Sequence, residues 1–353
     1  MIYENTIFNK LIGGVKMKRI MILCLAGLMT VGMVGCGTKK STESPTAGGD
    51  KKVTLKLAHN LTEDHPVGLA LTEFARLVDE KTNGSVKIQI FPNGQLGDET
   101  SVLEQLKAGA VAMTKVSAAA LTAYDDGYNA FTLPYVFTDE KHYFKSMESD
   151  AVKELYNKTK EKGFVGLTYY NSGARSFYTA KKPINTPEDL KGLKIRVMGF
   201  KTQTEMVEAL GGTPVSLPYG EVYTAMQSGV IDGAESNETA LTIGKHGEVA
   251  KYYSYDEHTM IPDILVLSSK VWDTLSKDQQ KAIQEASKES TAFANPLWTK
   301  SIADAKVEAE KMGVKFNDVD KKPFQDAVAP MIKKYSDSMP EVKKLLEAFK
   351  GLE

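Results

Sequence analysis

The chain has 353 residues, 42% of them hydrophobic and 25% charged, and a formal net charge of −1. That is enough apolar material for one large or two ordinary domains, and it excludes a disordered, fibrous or strongly basic nucleic-acid-binding chain. Both cysteines, Cys24 and Cys36, fall before the folded body, so disulfides, thiol nucleophiles and cysteine metal sites are excluded there.

The first expected element is a leader. Met17, Lys18 and Arg19 precede an apolar run broken only by small residues and Thr30. A basic start, a short apolar stretch and a small-residue end describe a signal peptide with a start at Met17 or upstream at Met1. Met33, Val34 and Gly35 before Cys36 resemble a bacterial lipobox, which makes Cys36 a diacylated mature N-terminus and a membrane anchor. Residues 1–35 hold four of the 44 basic and one of the 45 acidic side chains, leaving the mature chain at −4. Residues 37–52, made largely of Thr, Ser, Gly, Pro and Lys, read as a flexible tether.

The body begins at VTLKLAHN, where Val53, Leu55 and Leu57 alternate as in a strand. A helix from Pro66 to Thr82 carries Val67, Leu71, Phe74 and Val78 on one face, and Asn83 and Gly84 stop it. SVKIQIF is a second strand, and GDETSVLEQLKAGAVAMTKVS reads as helix then strand, giving βαβαβ and a parallel sheet. GFVGLTYY, LKGLKIRVM and GVIDGAES are later strands, with helices at about 201–210 and 220–229, so two α/β sheets in succession are expected. Ser276 and Gln279 form a capping box opening a helical stretch to Met312 that Pro296 should kink. Phe324 to Lys350 is again helical and broken near Pro340.

No nucleophile elbow, zinc helix, phosphate loop or dinucleotide fingerprint occurs in the body. The five histidines show no metal-ligand spacing, so neither metal nor cofactor is expected. Polar and aromatic groups do collect at strand ends and turns, where open α/β sheets bind ligands. Arg196 sits in a strand whose alternate residues Leu193, Ile195 and Val197 face a core, so it projects from the other face. GARSFYT places Arg175 just beyond a strand end, Tyr219 opens a helix in SLPYGEVY, and GAESN closes another strand. LAHNLTEDHP and DEHTMIPD add Asn60, Glu63, His65 and His258. Taken singly, each has an ordinary explanation: a surface ion pair for an arginine, a core role for a tyrosine.

The segments FPNGQLGDE, DLKGLKIRVM and EVYTAMQSGVIDGAES, together with the leader, resemble the substrate-binding proteins of tripartite ATP-independent periplasmic (TRAP) transporters. The resemblance covers nearly all of the body from Val53. It implies a two-domain α/β fold like that of periplasmic binding proteins, with hinge strands and a long C-terminal helix spanning both domains. The first domain would take residues 53–173 with 262–300, and the second 174–261 with 301–353. It also implies an extracytoplasmic, lipid-anchored protein that delivers a small organic acid to membrane permease subunits; nothing in the sequence demands a dimer or a cofactor, so a monomer without one is expected.

Residue by residue, Arg196 matches the family arginine that holds the ligand carboxylate, Arg175 a second ligand-facing arginine, and Tyr219 an aromatic position on the ligand. Ser236 and Asn237 fall where the family has asparagine, and either could reach the ligand. The further polar set Asn60, Glu63, His65, Ser117, Glu235 and His258 suits a polyhydroxylated acid, since each desolvated hydroxyl needs a partner. With the segments around it, this set resembles members that bind hexuronates such as glucuronate or galacturonate. A C4-dicarboxylate or sialic acid is the alternative ligand. From other classes come a cell-surface uronate-converting enzyme, with His258 or Glu63 as base, and a sensory partner of a receptor.

Overall fold

The computed structural model describes residues 51–353, so the leader, Cys36 and most of the expected tether lie outside the described residues. The chain builds β1 (Val53–Ala58), α1 (Pro66–Lys81), β2 (Val86–Phe91), α2 (Glu99–Ala108) and β3 (Met113–Ser117) in the order its periodicity predicts. Short α3 (Ala118–Leu121), α4 (Glu140–Met147), α5 (Asp150–Lys158) and β4 (Phe164–Tyr170) follow. Next come β5 (Arg175–Thr179), β6 (Lys194–Val197), α6 (Lys201–Ala209), β7 (Thr213–Ser216), α7 (Val222–Gln227), β8 (Gly233–Ser236), α8 (Thr239–Thr242) and β9 (Tyr252–Thr259). The last third holds β10 (Asp263–Ser268), α9 (Ser269–Trp272), α10 (Lys277–Lys311), β11 (Lys315–Asp318), α11 (Lys322–Ser338) and α12 (Pro340–Lys350).

The strands form a five-stranded sheet, β2-β1-β3-β10-β4, and a six-stranded sheet, β11-β9-β5-β8-β6-β7. In the first, β1 pairs in parallel with β2 and β3, while β10 runs antiparallel between β3 and β4. The second is likewise mixed: β6 is parallel to β7 and β8, and β5 is antiparallel to β8 and β9. Arg175 therefore opens a strand rather than trailing one.

Two short segments, residues 171–174 and 260–262, carry the chain between the sheets, and α10 carries it a third time, from β10 to β11. Gly173 in the first crossing has a φ of 66°, and a Cβ there would meet the Trp298 ring at 2.9 Å. Only glycine combines that backbone with that clearance.

The predicted apolar face of α1 is buried: Val67, Leu71, Phe74 and Val78 pack with Leu57, Leu265 and Ile283. The capping box of Ser276 and Gln279 starts α10, which runs 35 residues, about 52 Å at 1.5 Å per residue. The helix continues through Pro296 because the carbonyl that loses its donor belongs to Ala292 on the exposed face, within reach of water. It rests on α1 and β4 beside the first sheet and on α8 beside the second, spanning both lobes.

The C-terminal helices divide where the sequence reading keeps them together in the second domain. α11 lies against α6 and β9, but α12 returns to the first lobe and packs on α4 and α5. Met339, extended at φ −125° and ψ 99°, and Pro340 redirect the chain. Phe349 then joins Phe131 and Phe137, at ring distances of 5.7 and 5.4 Å. Burying that ring is worth about 1.5–3 kcal/mol and fixes the side α12 takes.

Candidate functional site

A cleft of about 590 Å³ opens between the two sheets, lined from residues at or just past the carboxyl ends of β1, β3, β6 and β8. Of the residues singled out by sequence, Arg196, Arg175, Tyr219, Ser236, Asn237, Asn60, His65 and Ser117 all line it. Glu63, Glu235 and His258 do not.

Arg196 is held by β6, paired with Val215 of β7 and Ala234 of β8, and is only 4% exposed. Its Nε donates to the Leu217 carbonyl at 2.8 Å. Neither terminal guanidinium nitrogen has a partner among the described residues, and no carboxylate there forms an ion pair with it. Burial pulls its pKa down from the usual arginine range, the mark of a cation kept from water without a dedicated counter-charge. What remains open is a planar two-nitrogen fork directed at the cleft, the geometry a carboxylate fills with two parallel hydrogen bonds.

Arg175 presents the contrary case. Its Nε lies 2.5 Å from Glu235 Oε2, and its Nη2 donates to Glu235 Oε1 at 2.9 Å and to the Glu235 carbonyl at 2.7 Å. His258 stands behind, with Nε2 3.3 Å from the same Glu235 oxygen and Nδ1 2.7 Å from Asp256. Asp256 in turn accepts the Phe177 backbone N–H. Burial opposes charge on both central groups. Even so, Arg175 and His258 hold Glu235 at about 2, and Asp256 and Glu235 raise His258 to about 9. At neutral pH the buried row therefore alternates in sign and sums to zero, leaving Arg175 Nη1 as its only guanidinium nitrogen without a partner among the described residues. Glu235 and His258 thus support Arg175 from behind instead of facing the cleft.

The pair Ser236 and Asn237 separates in the same way. Asn237 Nδ2 donates to the Ser172 carbonyl at 2.9 Å, and its Oδ1 accepts from the backbone and hydroxyl of Thr239. The Ser236 hydroxyl has no partner among the described residues. His65 caps α1 through Nδ1 and reaches across to Thr239 Oγ1 at 3.4 Å; burial lowers it to about 4. Ser117 spends its hydroxyl on the N-terminus of α3. Tyr219 is half-buried, its ring tilted against His246. Glu63 is exposed outside the cleft, which removes one of the two bases proposed for a uronate-converting enzyme.

Three cleft residues escape the sequence reading. Lys115 of β3, 2% exposed, donates to Asn60 Oδ1 at 3.0 Å and to Asp263 at 3.2 Å, and lies 3.8 Å from Glu99. Asp263 opens β10 and also accepts the Ser172 hydroxyl at 2.8 Å. Glu99, in the first turn of α2, accepts the Ser117 backbone N–H at 3.0 Å, and burial pushes its carboxyl up. A lysine inside the apolar stretch AVAMTKVS is the same signal that marks Arg196. Among the described residues no group of three or more histidines or carboxylates could hold a metal ion.

The sequence profile of the bacterial extracellular solute-binding proteins, family 7 (DctP), matches residues 57–338. The chain belongs to that family. This DctP-family protein is 43% identical over 82% of its length to the uncharacterized protein YiiZ of Salmonella typhimurium, covering 89% of that relative. Its structure is similar to that of a TRAP periplasmic solute-binding protein from Anaerococcus prevotii with bound α/β-D-glucuronate. There the TM-score is 0.83 at 38% identity, over 85% of this chain and 98% of that one. A second, from a Sulfitobacter species with bound β-D-galacturonate, gives 0.82 at 36% identity, over 85% and 100%. The DctP-family chain is an extracytoplasmic solute-binding protein of the TRAP type and not an enzyme. Among the described residues no helix is long and apolar enough to cross a membrane.

Proposed function

We propose that this DctP-family protein captures a hexuronate, D-glucuronate or D-galacturonate, and hands it to the membrane permease of a TRAP transporter. The observation that carries the reading is the Arg196 fork, buried, unpaired among the described residues and turned into a cleft large enough for a small organic acid. The carboxylate seats on Arg196, with Arg175 Nη1 as a neighbouring donor, Tyr219 against the sugar ring, and Ser236, Asn60 and Lys115 meeting hydroxyls. Solved relatives with bound glucuronate and galacturonate support the choice of acid.

The ligand contacts come from both lobes, so binding favours the closed arrangement by the difference in affinity between the two states. We take the lobes as residues 53–173 with 262–300 and 174–261 with 301–339, and return α12 to the first. The protein works as a monomer, since one chain carries every wall of the cleft, and is anchored outside the cytoplasm through lipid on Cys36. Retention of a Cys36→Ser variant in the detergent phase after Triton X-114 partitioning would sink the anchor.

Calorimetry with hexuronates, sialic acid and C4-dicarboxylates tests the ligand. Hexuronates should bind best, and Arg196→Lys, which keeps the charge but loses the fork, should weaken them about hundredfold, or about 2.7 kcal/mol. Near-normal affinity in that variant would overturn the carboxylate seat, and binding of dicarboxylates alone would overturn the hexuronate assignment.

A further inference from the structure

Opposite Arg196, the cleft wall has a different charge balance. Lys115 spends two of its three ammonium protons on Asn60 and Asp263, which leaves one for a ligand. Asp263 has both oxygens engaged, one by Lys115 and one by the Ser172 hydroxyl. Glu99 has one oxygen on the Ser117 backbone N–H, while Oε2 is without a partner among the described residues. So one cation faces two carboxylates, and a free donor stands beside a free acceptor. On the facing wall Arg196 is, among the described residues, the one buried cation without a counter-charge, because Arg175 is neutralised by Glu235. The cleft is therefore polarised, with an excess positive charge at one end and an excess negative charge at the other.

We infer that Glu99, Asp263 and Lys115 act as a charge filter, admitting the neutral hydroxyl-bearing end of a monoanionic ligand and turning away a second carboxylate. A hydroxyl both accepts and donates, so it can accept a hydrogen bond from the remaining Lys115 N–H and donate one to Glu99 Oε2. A carboxylate at the same place accepts from Lys115 but offers Glu99 nothing, and it sets like charges together in a desolvated site. Discrimination of this kind comes from the repulsive element as much as from the attractive one. The inference rests on the hexuronate reading and adds to it that diacids of the same carbon skeleton are excluded, and by which residues.

D-glucuronate and D-glucarate differ in the oxidation of the far carbon, which also keeps D-glucarate from closing a pyranose ring, so the response of the ratio to Glu99→Gln makes the test. In calorimetry the native protein should bind D-glucuronate at least hundredfold more tightly than D-glucarate. Glu99→Gln keeps an oxygen for the Ser117 N–H but removes the excess charge. It should bind D-glucarate more tightly and D-glucuronate less tightly than native, shrinking the ratio at least tenfold. Asp263→Asn should move the ratio in the same direction; if that variant fails to fold, Glu99→Gln decides alone. Opposite shifts for the two ligands are not produced by a merely structural role. Parallel weakening in a folded Glu99→Gln protein, an unchanged ratio, or a native ratio below tenfold overturns the inference while leaving the hexuronate reading intact. A native protein that binds neither D-glucuronate nor D-galacturonate overturns both.

Discussion

The two walls of the cleft treat their buried charges in opposite ways. On the first-lobe wall Lys115 is locked between Asn60 and Asp263 and within ion-pair distance of Glu99, so its charge is part of the folded framework. On the second-lobe wall Arg196 has one backbone acceptor and, among the described residues, no carboxylate, so its charge is a cost the apo protein carries. Both are cations in central strands with almost no exposure. The difference is whether the partner is built into the chain or has to arrive from solution.

The largest expected effect follows from that contrast. Lys115→Met would leave the buried Asp263 and the half-buried Glu99 without their cation and should destabilise the protein by about 3–5 kcal/mol, measured by urea unfolding. Arg196→Met should do the reverse for the apo protein, leaving stability unchanged or raised, while abolishing ligand-induced stabilisation. If the two variants lost stability equally, the contrast between the walls would be broken.

A second effect concerns the row behind Arg175. His258 is raised from 6.5 to about 9 in the folded state, so its contribution is fully present below pH 6.5 and is lost as pH rises through 9. The thermal midpoint should fall across that window by the equivalent of about 3 kcal/mol, and His258→Gln should flatten the profile. A native midpoint independent of pH between 6.5 and 9.5 would show that His258 is not held charged. The smallest effect is a control remote from both walls. Ser276→Ala, removing the cap of α10, should cost about 1 kcal/mol without changing ligand affinity.

Much of this was legible in the sequence because alternation and capping are local. β1, α1 and β2 follow from apolar spacing, and the start of α10 from Ser276 and Gln279. Arg196 stands out because a charge in an apolar strand is a local contradiction. Short edge strands such as β7, four residues including Pro214, carry too little pattern to be read alone. Asp263 and Ser117 become neighbours only through the antiparallel register of β10 on β3, a pairing across well over a hundred residues of chain. Polar residues at strand ends pointed to Glu235 and His258 as ligand contacts, and the fold places both behind Arg175, off the cleft lining. Whether a side chain touches the ligand or the residue that does is a matter of a few ångströms, which periodicity does not resolve.

The two short crossings between sheets are also part of the cleft. Ser172 and Ile261 lie on them and line the cleft, and the residue at which each crossing delivers the chain to the next strand, Arg175 or Asp263, is a charged member of its walls. Linker and cleft floor are thus one set of residues, and rewriting the chemistry of the floor also rewrites the connection between the lobes. Engineers who want a new cargo without altering the connection between the lobes should work on Asn60, Phe200 or Tyr219, each of which hangs from a single lobe.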